Sequence, residues 1–291
     1  PGRDPQPYYD FADEHEVRIV AVIETHPHAD FVSSHLEIAQ ETEATIYCSK
    51  LVGAGYPHQP FDDGNRIALG TVELHALNTP GHSPDSISIL LVDDLAQTRA
   101  VFTGDTLFVG DVGRPDLRED AAVGGHTREA LAAQLYRSTR RKLMTLPGST
   151  KVYPAHGPGS LCGKTSSPDL DSTIAKELAT NYALQPMSEP EFIKILLEDQ
   201  PFAPKYFGHG VQLNRLGAKG YQNDRSGRYS AKGTGWILSY WATERMPFFQ
   251  SNRLLKVWPF AFSVIVPVTS GASISFETKS RVCAARSFLS G

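Results

Sequence analysis

Residues 24–35 read ETHPHADFVSSH. His26 and His28 flank a single residue and Asp30 follows two places later, a cluster of imidazole and carboxylate groups of the kind that binds a transition metal. The segment before it, VRIVAVIET, is short, apolar and rich in β-branched residues, so it reads as a buried strand whose C-terminal end delivers the cluster. Open α/β sheets carry their chemistry at that end of their strands. After the cluster, FVSSHLEIAQETEA has apolar residues at 31, 32, 36 and 39 with helical spacing, and ATIYCS returns as a strand. Phe31 reads as the first core residue of that helix.

The same arrangement recurs along the chain. TVELHALNTPGHSPDSISILLVDD reads as two strands joined by a Pro/Gly turn with His82 at its tip. RAVFTGDTLFVGDVGRPDL is a strand ending at Gly104 with Asp105 at its exit, and KVYPAHGPGS is a short strand whose following loop carries His156. A lone loop histidine is most often structural, but a sheet holds its loops side by side, so ligand-type groups at successive strand ends converge on one point. TREALAAQLYRSTRRKLMTL reads as an amphipathic helix, and SEPEFIKILLED as a second one opened by Ser188 and Glu191 in capping-box spacing. His15, His35, His58, His75, His126 and His209 have no comparable setting and read as structural or surface residues.

Composition bounds the rest. With 291 residues and 41% hydrophobic side chains, the chain closes a core as one large domain or one domain plus an appendage. The formal net charge of -4 gives no reason to expect nucleic acid, but the charge is unevenly spread: residues 221–291 hold nine Lys/Arg against three Asp/Glu, and all three Trp. That change sets an expected boundary near residue 220, with a metal domain over 1–220 and a tail over 221–291 that has no dependable periodicity. Cys48, Cys162 and Cys283 are an odd, scattered set without CxxC spacing, which argues for reduced thiols and a cytoplasmic setting. The longest apolar run, VWPFAFSVIVPV, is broken by Pro259 and Pro267 and falls well short of the ~20 residues of a membrane helix, so no membrane association is expected. The oligomeric state, a homo-oligomer included, stays open.

Taken together, THPHAD, NTPGHSPDS, FTGDTLFVGDVGRPDL and YPAHGPGSLCG resemble the metallo-β-lactamase superfamily, and within it the persulfide dioxygenases, particularly the bacterial kind often fused to a rhodanese domain. The resemblance covers about residues 1–218, APKYFGHGVQLNRLG included. It implies an αββα sandwich of the α/β class, one non-haem Fe(II) per chain, and oxidation of glutathione persulfide by O2 to sulfite. Carried over by position, the iron ligands and catalytic centre are His26, His82 and Asp105. His28, Asp30 and His156 match the positions where related hydrolases hold zinc, and are expected to form a second shell or a vestigial second site. The family begins with a strand pair ahead of PGRDPQPYY, so the resemblance leaves the first sheet short of those strands. A rhodanese loop is not recognisable in RVCAARSFLSG, where Cys283 lacks the required glycine.

Two histidines and one carboxylate on one face of an iron leave the other positions open, which suits joint binding of dioxygen and substrate. Hydrolases of the superfamily use two zinc ions sharing a hydroxide and need a larger ligand set. Phe31 supplies no ligand where those enzymes place one, which favours a single metal. The alternatives are a glyoxalase II-like dinuclear zinc thioester hydrolase and a non-catalytic metal-binding remnant. Arg114 is a candidate substrate-binding residue whose fork suits a carboxylate of glutathione, but an Arg between two Asp, here Asp111 and Asp116, is more often a structural ion pair. Cys162 reads as a buried structural thiol.

Overall fold

The computed structural model describes residues 1–118, 126–157, 160–164, 167–200 and 202–219, and the backbone of 263–268 and 274–278. Strand β1 (Arg18–Glu24) turns Ala21 and Ile23 to one side and Ile19 and Val22 to the other, and both sides are buried. This explains why its sequence is a continuous apolar run and not an alternation. Helices α1 (Gln6–Glu14) and α2 (His35–Thr42) cover the outer face through Tyr8, Ala12 and Ile38. Beside β1 in parallel lies β2 (Thr45–Cys48), and beside that the two-residue β3 (Gln59–Pro60).

A second sheet stacks on the inner face. It contains β4 (Asn65–Leu69), β5 (Val72–Asn78), β6 (Ile87–Val92) and β7 (Thr98–Gly104) as an antiparallel meander. Strand β8 (Lys151–Pro154) joins β7 in parallel, and the short β9 (Ser172–Thr173) closes that edge. In β7, Ala100 and Phe102 point into the space between the sheets while Val101 points outward, the period of two that a strand imposes. Helix α3 (Arg128–Ser138), α4 (Ile174–Thr180) and α5 (Glu189–Leu197) follow; Leu135 of α3, Ile174 of α4 and Phe192 of α5 join the core on the outer face with Val101 and Val152. Helix–sheet–sheet–helix layering results. Helix α6 (Phe207–Leu216) lies against the loop after β1 through Phe207 and Val211 on Ala29.

Caps appear where the sequence sets them. The Ser188 hydroxyl accepts from the N–H of Glu191 at the start of α5, and Thr127 does the same for Ala130 at the start of α3. One boundary differs from the periodicity: the helix after the metal cluster begins at His35, not at Phe31. Phe31 stays in the loop, its ring 4.5 Å from that of His28 and its carbonyl bound by Asn214.

Past residue 220 two strands are described. Strand β10 (Ser263–Val268) pairs antiparallel with β1 along its whole length, and β11 (Ile274–Thr278) pairs antiparallel with β4. The sheet orders are β10-β1-β2-β3 and β11-β4-β5-β6-β7-β8-β9, so the outer position beside β1 and the one beside β4 are filled from beyond the compositional boundary. The Cys283 segment and nearly all of the stretch 219–235 lie outside the described residues. Among the described residues no helix is long and apolar enough to cross a membrane.

Candidate metal centre

Four strand ends build the centre. His26, His28 and Asp30 follow β1, His82 sits in the β5–β6 turn, Asp105 follows β7 and His156 follows β8. These loops lie on neighbouring strands, and His26, His82 and Asp105 bring one ligand atom each within 4.8 Å of one another. All three are buried, Asp105 completely. Nε2 of His26 lies 3.6 Å and Nε2 of His82 3.4 Å from Oδ2 of Asp105. Those separations match the edges of a coordination polyhedron, since ligands about 2.1 Å from an ion in tetrahedral array stand about 3.4 Å apart.

Hydrogen bonding behind these atoms fixes which of them are available. Nδ1 of His82 donates to the carbonyl of Arg114 at 2.9 Å, which leaves the lone pair of Nε2 turned on Asp105. Nδ1 of His26 shares a hydrogen bond of 3.1 Å with the buried Thr25 hydroxyl. Nε2 of His26 and Oδ2 of Asp105 are buried with no hydrogen-bond partner. Buried polar atoms that face one another without hydrogen-bond partners cost several kcal/mol unless a cation joins them, so this set of side chains fits a transition metal. Burial, reinforced by the neighbouring imidazoles, holds His26 and His28 far below the usual histidine range, the neutral state that ligation requires.

His156 is placed differently. Its Nδ1 donates to Oδ1 of Asp105 at 2.7 Å and its Nε2 to Oδ2 of Asp30 at 2.9 Å. Burial opposes a charge on this ring, but the two carboxylates outweigh it and raise the pKa to about 10. Burial likewise works against the charge on Asp105, while His156 and His82 hold its pKa down at about 2. His28, Asp105 and His156 form a second set of ligand atoms within 4.8 Å, so Asp105 is shared between two sets. The ring of His28 also lies 4.1 Å from that of His26, and its Nδ1 is 4.0 Å from Asp30.

Arg114 is 1% exposed and does not present an open fork to the cluster. Its Nε and Nη2 grip both carboxylate oxygens of Asp116 at 2.8 and 2.6 Å, and Nη1 donates to the carbonyl of Leu161. The geometry is that of the structural ion pair with Asp116. Asp111 is occupied elsewhere, by the N–H of Lys164 and the hydroxyl of Tyr182. What Arg114 contributes to the centre is its backbone carbonyl. The glycine before it matters for the same reason: a Cβ on Gly113 would overlap the carbonyl oxygen of Asp105 and press on His82. The sequence signal for this was the GDVGRPD glycine itself. Cys162 is buried beside Asp30 and His156, and burial followed by the Asp105 and Asp30 charges pushes its thiol well above the usual range. A cleft lined by Phe108, Val109, Ser160 and Gly163 adjoins His156.

Comparison with known proteins places this geometry among relatives. Residues 1–156 match the metallo-beta-lactamase superfamily. The chain is similar to the mitochondrial persulfide dioxygenase ETHE1 of Homo sapiens, 31% identical over 181 residues that make up 62% of each chain. It is also similar to a cytoplasmic hydroxyacylglutathione hydrolase of Arabidopsis thaliana, 31% identical over 155 residues, 53% of this chain and 55% of that one. Among solved structures, ETHE1 from Myxococcus xanthus superposes with a TM-score of 0.62 at 30% identity, over 74% of this chain and 85% of that one. The chain spans about half to five-eighths of the length of the first curated relatives it matches.

Proposed function

The chain belongs to the metallo-β-lactamase superfamily, and from that membership we propose that it is a persulfide dioxygenase, holding one iron on His26, His82 and Asp105 and oxidising glutathione persulfide with O2 to sulfite. One observation carries the choice of a single ion. Both ring nitrogens of His156 are hydrogen-bonded to carboxylates, whereas Nε2 of His26 and Oδ2 of Asp105 have no hydrogen-bond partner. A two-histidine, one-carboxylate set with open positions is the pattern of non-haem iron oxygenases. When bound, iron(II) supplies the redox chemistry by which a persulfide sulfur reacts with dioxygen.

The protein's own share is orientation and exclusion of water. His156 draws Oδ1 of Asp105 away and leaves Oδ2 facing the histidines. Thr25 and the Arg114 carbonyl set the planes of His26 and His82. Phe31 over His28 and Phe108 against His156 supply apolar walls that keep bulk water from the reacting groups.

The second reading, a dinuclear zinc thioester hydrolase, draws on the second ligand set at His28, Asp105 and His156 and on the likeness to the plant hydrolase. It requires His156 to give up its bond to Asp105. Metal analysis of protein purified without air, with oxygen uptake on adding glutathione persulfide, separates the two. One iron per chain, oxygen consumption and sulfite are the expected results. Two zinc ions per chain with cleavage of S-lactoylglutathione under nitrogen would overturn the dioxygenase.

A further inference from the structure

Asn214, on α6, is 2% exposed and 186 residues from His28 in the chain, yet its side chain is bound to the backbone of the ligand loop. Oδ1 accepts from the N–H of Ser33 at 2.8 Å, and Nδ2 donates to the carbonyls of His28 and Phe31, each at 2.8 Å. The orientation of the amide follows from its partners, since two carbonyls only accept and an N–H only donates. These three backbone groups lie outside any helix or strand. Without the amide each of the three would lose this hydrogen bond.

Asp30 sits between the two bound carbonyls. Its carboxylate accepts from His156, which in turn holds Oδ1 of Asp105. The path of the loop therefore reaches the metal ligand through two hydrogen bonds. The helix is held close for this purpose: a Cβ on Gly210 would overlap the carbonyl oxygen of Ala29, and the Tyr56 hydroxyl donates to the carbonyl of Asn214 at 3.1 Å.

We propose that Asn214 is a positioning residue of the metal centre, fixing residues 28–33 and, through Asp30 and His156, the orientation of the Asp105 carboxylate. The inference rests on the cluster being a metal site, and not on which metal or reaction it serves. Asn214→Ala and Gly210→Ala should each weaken affinity for both iron(II) and zinc(II) by about tenfold, measured by competition with a chelator. Both should also shift the visible spectrum of the cobalt(II)-loaded protein. Phe192→Ala, on the buried face of α5, should lower the melting temperature and leave affinity and spectrum unchanged. Parental affinity and cobalt spectrum in folded Asn214→Ala would overturn the inference and leave the metal site standing. A parent chain that takes up none of the three metals would overturn both. Should Asn214→Ala not fold, hydrogen exchange in the parent decides: the Ser33 amide must exchange slowly, and exchange at the rate of an open loop would sink the idea.

Discussion

Asp105 is where the two halves of the centre meet, one oxygen toward His26 and His82 and the other bound by His156. The two kinds of neighbour should respond differently to removal. His26→Ala, His82→Ala and Asp105→Ala each delete an atom of the facing set, and metal content should fall from one per chain to near zero. His156→Ala deletes a hydrogen-bond donor and should leave most of the metal bound while lowering its affinity by about 10- to 100-fold. Metal analysis of the four purified variants checks this, and equal loss in all of them would point to a dinuclear site. The convergence of His26, His82 and Asp105 was legible in the sequence because imidazole and carboxylate groups stand at successive strand ends. The Arg114 carbonyl was not, since every residue has one, and Asn214 carries no local signal that sets it apart from any other polar residue.

At the scale of elements, the His82 turn depends on α3. The Ser138 hydroxyl of α3 donates to the Pro80 carbonyl at 2.7 Å, and Gly81, at φ 147°, faces the backbone of Leu135 so closely that a Cβ would overlap it. Gly81→Ala combines a backbone conformation that suits only glycine with a clash against a helix that cannot retreat from a packed core. It should destabilise the fold by on the order of 2–4 kcal/mol and loosen His82. Chemical denaturation tests the first effect, and an unchanged midpoint would show that α3 is free to shift. Elements with strong local signals, such as β1, α3 and the Ser188-capped α5, were readable from periodicity and caps. Strand β4 was not, because NRIAL has neither length nor a full alternation. The start of α2 was misplaced because the pattern includes Phe31, whose loop is held open by a contact from α6 that no local rule contains.

For the whole molecule, the strands past residue 220 pose the largest departure from what composition suggests. Charge and Trp content change there, and the pattern offers no periodicity, yet β10 and β11 pair with β1 and β4. Sheet pairing between segments so distant in sequence leaves no local mark, because main-chain hydrogen bonds do not depend on side-chain identity, and even Pro267 of β10, which lacks an N–H, holds a place in the register opposite Ile19. The need for it is physical. Ala21, Val22 and Ile23 of β1 are fully buried, and an apolar strand with an open edge invites pairing with another chain. Cleavage and attachment are then separate questions. The stretch KGYQNDRSGRYSAKGTG at 219–235 is polar and glycine-rich, so limited proteolysis should cut within it. After that cut, the C-terminal piece should still co-elute with the core on native gel filtration and separate from it only in denaturant, because six residues of β10 and five of β11 remain hydrogen-bonded. Since β10 lies along the strand that presents His26, His28 and Asp30, its removal in denaturant followed by refolding of the core alone should yield protein with less bound metal. A nicked piece that leaves under native conditions, with metal content unchanged in the remaining core, would show that the outer strands are dispensable and that the compositional boundary is also the structural one.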